Sequence, residues 1–508
     1  MAEKEEQVAQ RRALVGVEQK VVDHVFEALT SQQRAKLLRA PLELAAARGD
    51  RDLVQKLIKA GADVGIALHA AAEGDHLAVV YDLMMHGASI KARDPAGFTP
   101  LHVAARKGNT SVVKLFLSYP GTFQRDAVDF TRGWTPLLTA VNSGHLAVTR
   151  ALVAAGADLT VWCGDSNKSL VHLAVELKRV AILRVLVEHG ADVDRCATGQ
   201  ITPLHTAAES NDVESIHVLA EAGADLEARC GDGLTPLHKA VTCLNLEAVI
   251  ALLKHGADVN SADEDEEETS LLYVATHAGT RGVAEIVDVL LRSGADEAIA
   301  SDIDKVNVQG STPLSSAVRT GRLTVTKVLL AAGADTSLTY GYRGKSVVHF
   351  AVKDHEVPIL KALLEHGANA NARATDGSTP LHVAAETDNA ESISLLVGAG
   401  ANTEARSESG STPLHLAASN FNLKVVIAVL EHGAAVDAPD GGYRTPLHYA
   451  ASNAGIPGVA EVVDVLLRSG ARERISDVDG NTPMDAIGAR IDWMEIQDEE
   501  YKRVQDLL

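Results

Sequence analysis

Histidine and cysteine are the residues of this chain whose spacing first suggests chemistry. Imidazole and thiolate are the ordinary zinc ligands, and imidazole is the ordinary general base near neutral pH. Nine of the 20 histidines, His69, His102, His172, His205, His238, His349, His382, His415 and His448, recur at one phase of a repeating motif. Five more, His86, His189, His255, His366 and His432, each precede a glycine. His24, His76, His145, His217, His277 and His355 are scattered. A zinc site needs its ligands to converge within about 2 Å of one ion. Residues that step along a stack cannot do so, and the histidines read as structural.

Cys163, Cys196 and Cys230 are each separated by one repeat length, hence lie at one phase of consecutive units. Units stacked at about 10 Å exceed the roughly 7 Å Cα separation that a disulfide spans, so three separate thiols are expected. Cys243 falls on a helix, where a free thiol is expected to pack. Asp477-Val-Asp-Gly-Asn481 is similar to the start of a calcium loop, but Gly488 stands where the bidentate glutamate belongs. It reads instead as a turn before the next unit. No GxxxxGK, HExxH or GxSxG pattern is present. The expectation is a chain with no catalytic residues, no metal and no cofactor.

The elements carrying these residues repeat. Thr-Pro followed by Leu or Met recurs at Thr99, Thr135, Thr202, Thr235, Thr312, Thr379, Thr412, Thr445 and Thr482. Degenerate copies stand at Ser169, Thr269 and Ser346, and earlier units at Pro41 and Ala67. With these included, most intervals have one near-constant length, as from Thr202 to Thr235 and from Thr379 to Thr412. Threonine predicts a helix N-cap, and proline fits the first helical position, where its missing N–H is not needed. A short helix with an Ala-Ala packing face follows, as at Ala104-Ala105 and Ala384-Ala385. A second helix carries Leu, Val and Ile at helical spacing, for example Ile182, Val185 and Leu186, and stops at Gly-Ala, as at Gly190 and Gly367.

This pattern closely resembles the ankyrin repeat over roughly residues 41–487, in about fourteen copies. The resemblance implies an all-α solenoid of stacked helix pairs with protruding turn fingers. Residues 1–40 are expected to form an N-terminal helical cap, with Val17, Val21, Val25 and Leu29 on one helix face. Residues 488–508, with Trp493, Ile496, Val504 and Leu508, are expected to form a closing helix. A larger period lies inside the smaller one: Thr135, Ser169, Thr202 and Thr235 return at Thr312, Ser346, Thr379 and Thr412, all at one constant offset. Residues 282–295 recur at 458–471 with an offset only one position shorter. A five-repeat block, about 134–299, is inferred to be duplicated as about 311–475. Two of the repeats carry a longer loop between their helices, at 278–281 in the first of them.

Lys and Arg total 47 against 68 Asp and Glu, a formal charge of −21, and no basic run exceeds two residues. Such a surface repels phosphate backbones and anionic membranes, so nucleic acid is not expected as a partner. The start of the chain has no apolar h-region, and no run approaches the length of a membrane span. With four cysteines, the chain reads as soluble, intracellular and cytoplasmic, the nucleus remaining open, and monomeric. Aromatics make up 4% of a sequence that is 46% hydrophobic, so the core must be built from Ala, Leu and Val.

Binding is expected at the variable position before each capping Thr or Ser, which the family places on the finger and concave face that meet partners. That position is largely apolar in the first half, at Phe98, Trp134, Ile201 and Leu234 though also Lys168 and Glu268, and polar in the second, at Ser311, Lys345, Ser378, Ser411 and Arg444. With Trp162, the four apolar residues form the candidate binding strip, or else they pack locally between fingers. The run Asp263, Glu264, Asp265, Glu266, Glu267 and Glu268 is either a solvated finger tip or a contact for a basic partner. The function expected is a protein-interaction scaffold or adaptor. The alternative is a regulatory or inhibitory subunit covering a basic partner surface with its acidic fingers.

Overall fold

The computed structural model describes residues 30–65, 67–119, 125–164, 166–261, 282–293, 303–307, 310–341, 343–487 and 499–508. The expected helix over Val17–Leu29, the acidic run 263–268, the loop at 278–281, Trp493 and Ile496 all lie outside them. The chain divides into two compact units, residues 1–236 with 254–256, and residues 237–253 with 257–508. Each is an all-α array of helix pairs.

In the first unit the inner helices Ala67–Glu73, Pro100–Lys107, Pro136–Ser143, Leu170–Glu176 and Pro203–Glu209 each pack on the next. The outer helices Leu77–Met85, Thr110–Ser118, Leu146–Ala154, Val180–Glu188 and Val213–Glu221 form a second layer in the same order. In the second unit the inner layer runs through Pro313–Arg319, Val347–Lys353, Pro380–Glu386, Pro413–Ser419, Pro446–Ala451 and Pro483–Ala486. Its outer layer ends on Val459–Arg468, which carries the terminal helix Glu499–Leu507. There Val504 is fully buried and Arg503 reaches Glu461 at 3.2 Å.

Small side chains set the spacing of the inner layer. Ala104, Ala105, Ala384 and Ala385 are completely buried, and only a methyl group lets successive helices approach this closely. The outer helices contribute the larger apolar volume, through residues such as Ile182, Leu186, Ile359 and Leu363, all nearly or fully buried. Gly190 and Gly367, at φ of 83° and 81°, supply the left-handed residue that ends an outer helix.

The motif histidine ties one unit of the stack to the next. Thr99 caps its helix by accepting from the His102 amide, while the Thr99 amide donates to His102 Nδ1 at 3.2 Å. The opposite nitrogen, Nε2–H, donates at 2.9 Å to the Trp134 carbonyl in the following repeat. A nitrogen facing a carbonyl must carry the proton, so the ring is the neutral Nε2–H tautomer and its Nδ1 is an acceptor. The arrangement recurs from His172 to Ile201, His205 to Leu234, His349 to Ser378, His382 to Ser411 and His415 to Arg444. His448 closes the series on Asn481 at 3.1 Å.

Among the described inner helices, the terminal Pro483–Ala486 has Asp485 at the histidine's position, and Pro136–Ser143 and Pro313–Arg319 have Leu138 and Ser315. After each of the latter two the following finger closes as a short antiparallel hairpin. Strand β1 (Trp162–Cys163) pairs with β2 (Lys168–Ser169), and β3 (Thr339–Tyr340) with β4 (Lys345–Ser346). The two hairpins are related by the same offset that relates Thr135 to Thr312. In the second, Tyr340 turns inward and its hydroxyl meets Thr312 Oγ1 at 2.9 Å, so the capping threonine again has a buried polar partner. Burial pushes the Tyr340 phenol up to about 12.

The buried imidazoles make stability depend on pH. Burial, set against a favourable carbonyl contact, pushes His349 and His415 down to about 4, and it also lowers His102, His172 and His382. A proton on Nδ1 would face the threonine donors and lose them. Unfolded imidazoles titrate near 6.5, so below that pH the unfolded chain takes up protons that the fold refuses. Stability is therefore fully present above about pH 6.5 and falls as pH drops toward 4, by as much as about 1.4 kcal/mol per pH unit for each such histidine. The denaturation midpoint in urea is expected to fall from pH 7.5 to pH 5, with a shallower fall in a His349→Gln/His415→Gln variant. A midpoint independent of pH would show that these rings accept protons without loss. Thr379→Val, which deletes one cap and one histidine partner, should cost about 1–2 kcal/mol by the same measurement.

Candidate functional site

The histidine clamp uses only the main chain of the residue before each capping Thr or Ser. The carbonyls of Phe98, Trp134, Ile201 and Leu234 are the acceptors for His69, His102, His172 and His205 at 2.9–3.0 Å. The same carbonyl closes its own finger, accepting from the Asp129 amide at Trp134 and the Cys230 amide at Leu234. The side chains are left partly open: Phe98, Trp134, Ile201 and Leu234 are half-buried. Trp162, on strand β1, is 57% exposed, and its neighbour Cys163 points inward.

Each aromatic of the strip is engaged by an arginine. Arg106 stands 5.6 Å from the centre of the Phe98 ring, Arg132 is 4.9 Å from Trp134 and Arg195 is 5.1 Å from Trp162. Arg195 also donates to the Thr160 carbonyl at 2.7 Å, which fixes its plane. No ring contact among the described residues joins Phe98, Trp134 and Trp162 to one another. The strip is a row of separate aromatic platforms, each with a cation in reach of its π face.

A further platform was not singled out in the sequence. Phe130, at the tip of the finger that ends in Trp134, is 69% exposed, with Arg93 at 4.8 Å. Arg93 donates to the Gly97 and Val128 carbonyls at 2.7 and 2.6 Å, and the Phe130 amide donates to Ala96 at 3.0 Å. Adjacent fingers are thereby zipped together while Phe130 remains open. Its signal is faint in the sequence, because it lies at a variable finger position outside the repeating motif.

The other candidate chemistry resolves into structure. Cys163 and Cys230 are buried thiols, Cys196 and Cys243 exposed ones, and all four are free. Burial raises the Cys163 thiol above its ordinary range. Cys243 does not pack on a helix face as expected: Pro236–Thr242 ends just before it and turns it to solvent. His86, His189 and His366 use Nδ1 on the carbonyl one turn back, at 2.8–2.9 Å, at the ends of their helices. His76 and His145, scattered in the sequence, both bridge backward, to the Ala47 and Arg106 carbonyls at 3.0 and 2.9 Å. Asp477 accepts from the Asp479 and Asn481 amides at 3.0 and 2.9 Å, as Asp129 and Asp440 do in their own fingers. These amides, Asn481 foremost, hold its carboxyl below the usual range. Among the described residues no three His, Cys, Asp or Glu side chains are grouped to hold a metal ion, and no helix is long and apolar enough to cross a membrane.

Comparison with known proteins agrees with this architecture. The model of ankyrin repeats (3 copies) matches residues 42–126, 121–197, 195–263, 334–407 and 389–479. The chain is 34% identical over 138 residues to the Nuclear factor NF-kappa-B p105 subunit of Gallus gallus, covering 27% of this chain and 14% of that protein. It is 30% identical over 163 residues to a Transient receptor potential cation channel subfamily A member 1 homolog of Caenorhabditis elegans, covering 30% and 13%. Against the B-cell lymphoma 3 protein homolog of Mus musculus the figures are 30% over 167 residues, covering 31% and 37%. The chain thus spans well under half the length of each of these relatives. The crystal structure of the ankyrin repeat domain of Bcl-3, a unique member of the IkappaB protein family, matches at 30% identity and a TM-score of 0.41, over 48% of this chain and 99% of that one. With repeat models matching well over half of its residues, the chain belongs to the ankyrin-repeat family.

Proposed function

We propose that the protein is a non-catalytic interaction scaffold that holds a partner protein on the aromatic and apolar platforms of its first unit: Phe98, Trp134, Trp162, Ile201 and Leu234. The observation that supports this reading is the division of labour at the position before each cap. Its carbonyl is committed to the histidine clamp, whereas its side chain is half-exposed and free to vary. Large aromatic and apolar side chains held on a rigid frame lose little entropy on binding, and such residues concentrate binding energy at interfaces. The arginines beside Phe98, Trp134 and Trp162 add a charged rim suited to a partner that combines apolar anchors with carboxylates.

A second reading is that the protein regulates a basic partner by covering it. The net charge of −21 and the run Asp263–Glu268 favour that reading. Affinity that collapses between low and physiological salt would support it, since such attraction is screened within about 8 Å.

The test exploits the main-chain nature of the clamp. Trp134→Ala and Leu234→Ala keep the carbonyls that His102 and His205 use, so helicity and the denaturation midpoint should hold within about 1 kcal/mol. A partner captured from native extract by the wild type should lose at least about tenfold in affinity for the double variant, or about 1.4 kcal/mol. Equal capture by both proteins would remove the strip from the binding surface.

A further inference from the structure

The second unit carries a basic groove. It lies beside hairpin β3–β4, has a volume of about 620 Å³, and is lined by Arg319, Arg343, Lys345 and Lys353 around the rings of Tyr340 and Phe350. Among the described residues, Asp354 is the one carboxylate in its lining. In a chain of net charge −21, four cations around one opening are a local reversal of sign.

The constant offset between the two blocks supplies an internal control. The positions of Arg319, Arg343, Lys345, Phe350 and Lys353 are held in the first unit by Asn142, Ser166, Lys168, Leu173 and Glu176. There Lys168 is neutralised by an ion pair with Glu176. In the second unit the glutamate's place is taken by Lys353, so two lysines line one groove where a lysine and a glutamate were paired. Among the described residues, Arg319, Lys345 and Lys353 form no ion pair. The nearby carboxylate of Asp376 feels Lys345, but it accepts from the Ser378 amide and hydroxyl.

A cation in the last turn of a helix is favourable by itself, and Arg319 and Lys353 both sit there. That does not account for the cluster, since Asn142 and Glu176 end the equivalent helices without one. Nor does it account for the aromatic floor. Arg319 lies 5.7 Å from the Phe350 ring, which is 6.2 Å from the ring of the buried Tyr340. Equivalent positions in the first unit hold Leu173 and Cys163.

We propose that this groove binds an acidic peptide segment of a partner protein, its carboxylates paired with Arg319, Lys345 and Lys353 and an apolar or aromatic side chain lying on Phe350. A peptide fits better than nucleic acid, because the surrounding negative charge repels a long polyanion, whereas a short segment needs only the local cations. At physiological salt the field reaches about 8 Å, so those cations dominate what the segment feels. This site is independent of the aromatic strip on the first unit.

The experiment measures fluorescence anisotropy of a labelled Asp/Glu-rich peptide with one central tyrosine, on the full chain, against its Asn/Gln counterpart. Lys353→Glu restores the pairing of the first unit, and Arg319→Gln removes the cation over Phe350. Both positions are exposed, so an unchanged thermal melt is the control for folding. Wild type should bind the acidic peptide, with affinity falling as salt rises and at least about tenfold weaker in the double variant. Trp134→Ala/Leu234→Ala should bind it like wild type, which separates failure of this site from failure of the strip. No binding by wild type, equal binding of the neutral peptide, or equal affinity in Lys353→Glu/Arg319→Gln would overturn the proposal. Displacement of the peptide by inorganic phosphate at equal charge concentration, or preference for a DNA oligonucleotide, would overturn it in favour of a simple anion or nucleic-acid site.

Discussion

The structure depends on keeping an imidazole neutral inside a helical stack. A ring with one donor and one acceptor nitrogen can accept from the cap of its own helix and donate to the main chain of the next repeat. No other side chain of that size does both at opposite ends of a rigid plane. Burial enforces the protonation state that the geometry needs: His349 and His415, down to about 4, cannot present two donors at neutral pH. The acceptor must then arrive at one fixed place in every copy, which holds the repeat length nearly constant and makes insertions tolerable only away from the clamp.

Because the clamp ends on a carbonyl, the residue that provides it is released from any demand on its side chain. Trp134, Leu234, Ser378, Ser411 and Arg444 all serve as acceptors equally well. A position that is structurally indispensable is therefore free in sequence, and it faces outward enough to meet another molecule. The clamp thus uses the main chain of this residue and leaves its side chain available. After Leu138 and Ser315, which stand in the histidine's place, the finger that follows forms a two-stranded hairpin. The two units differ in what fills the space: Cys163 in one, Tyr340 with its bond to Thr312 in the other.

The sequence made the fold legible because its signals are local. Thr-Pro, the Ala-Ala face and the terminal glycine each act within one or two helical turns, and a dozen repetitions remove the ambiguity of any single one. The strip residues were legible as positions, because the motif counts them off. Their environment was not. Arg195 meets Trp162, and Arg93 meets Phe130, each about one repeat away in sequence, a spacing that stacking alone turns into contact. His76 and His145 looked scattered for the same reason, since each reaches back about one repeat to a carbonyl that carries no sequence signal. The groove of the second unit was hidden twice over. Arg319, Arg343, Lys345 and Lys353 form no basic run, and their separation hides the cluster in a chain whose total charge is strongly negative.

Repeats that contact only their neighbours let such differences accumulate without cost to the whole. Exchanging a Lys168–Glu176 pair for Lys345 and Lys353 replaces a surface ion pair, worth at most about 1 kcal/mol, with two lysines that form no ion pair among the described residues, at similarly modest cost. The charge of Lys345 helps to keep His349 neutral, and Ser346 and His349 keep their bonds at 2.9–3.1 Å. A solenoid can thus change the sign of one stretch of its surface while every histidine bridge stays in place. The energetic cost of such a change is confined to the residues exchanged, which is why two stretches with the same hairpin can present an aromatic platform in one and a basic groove in the other.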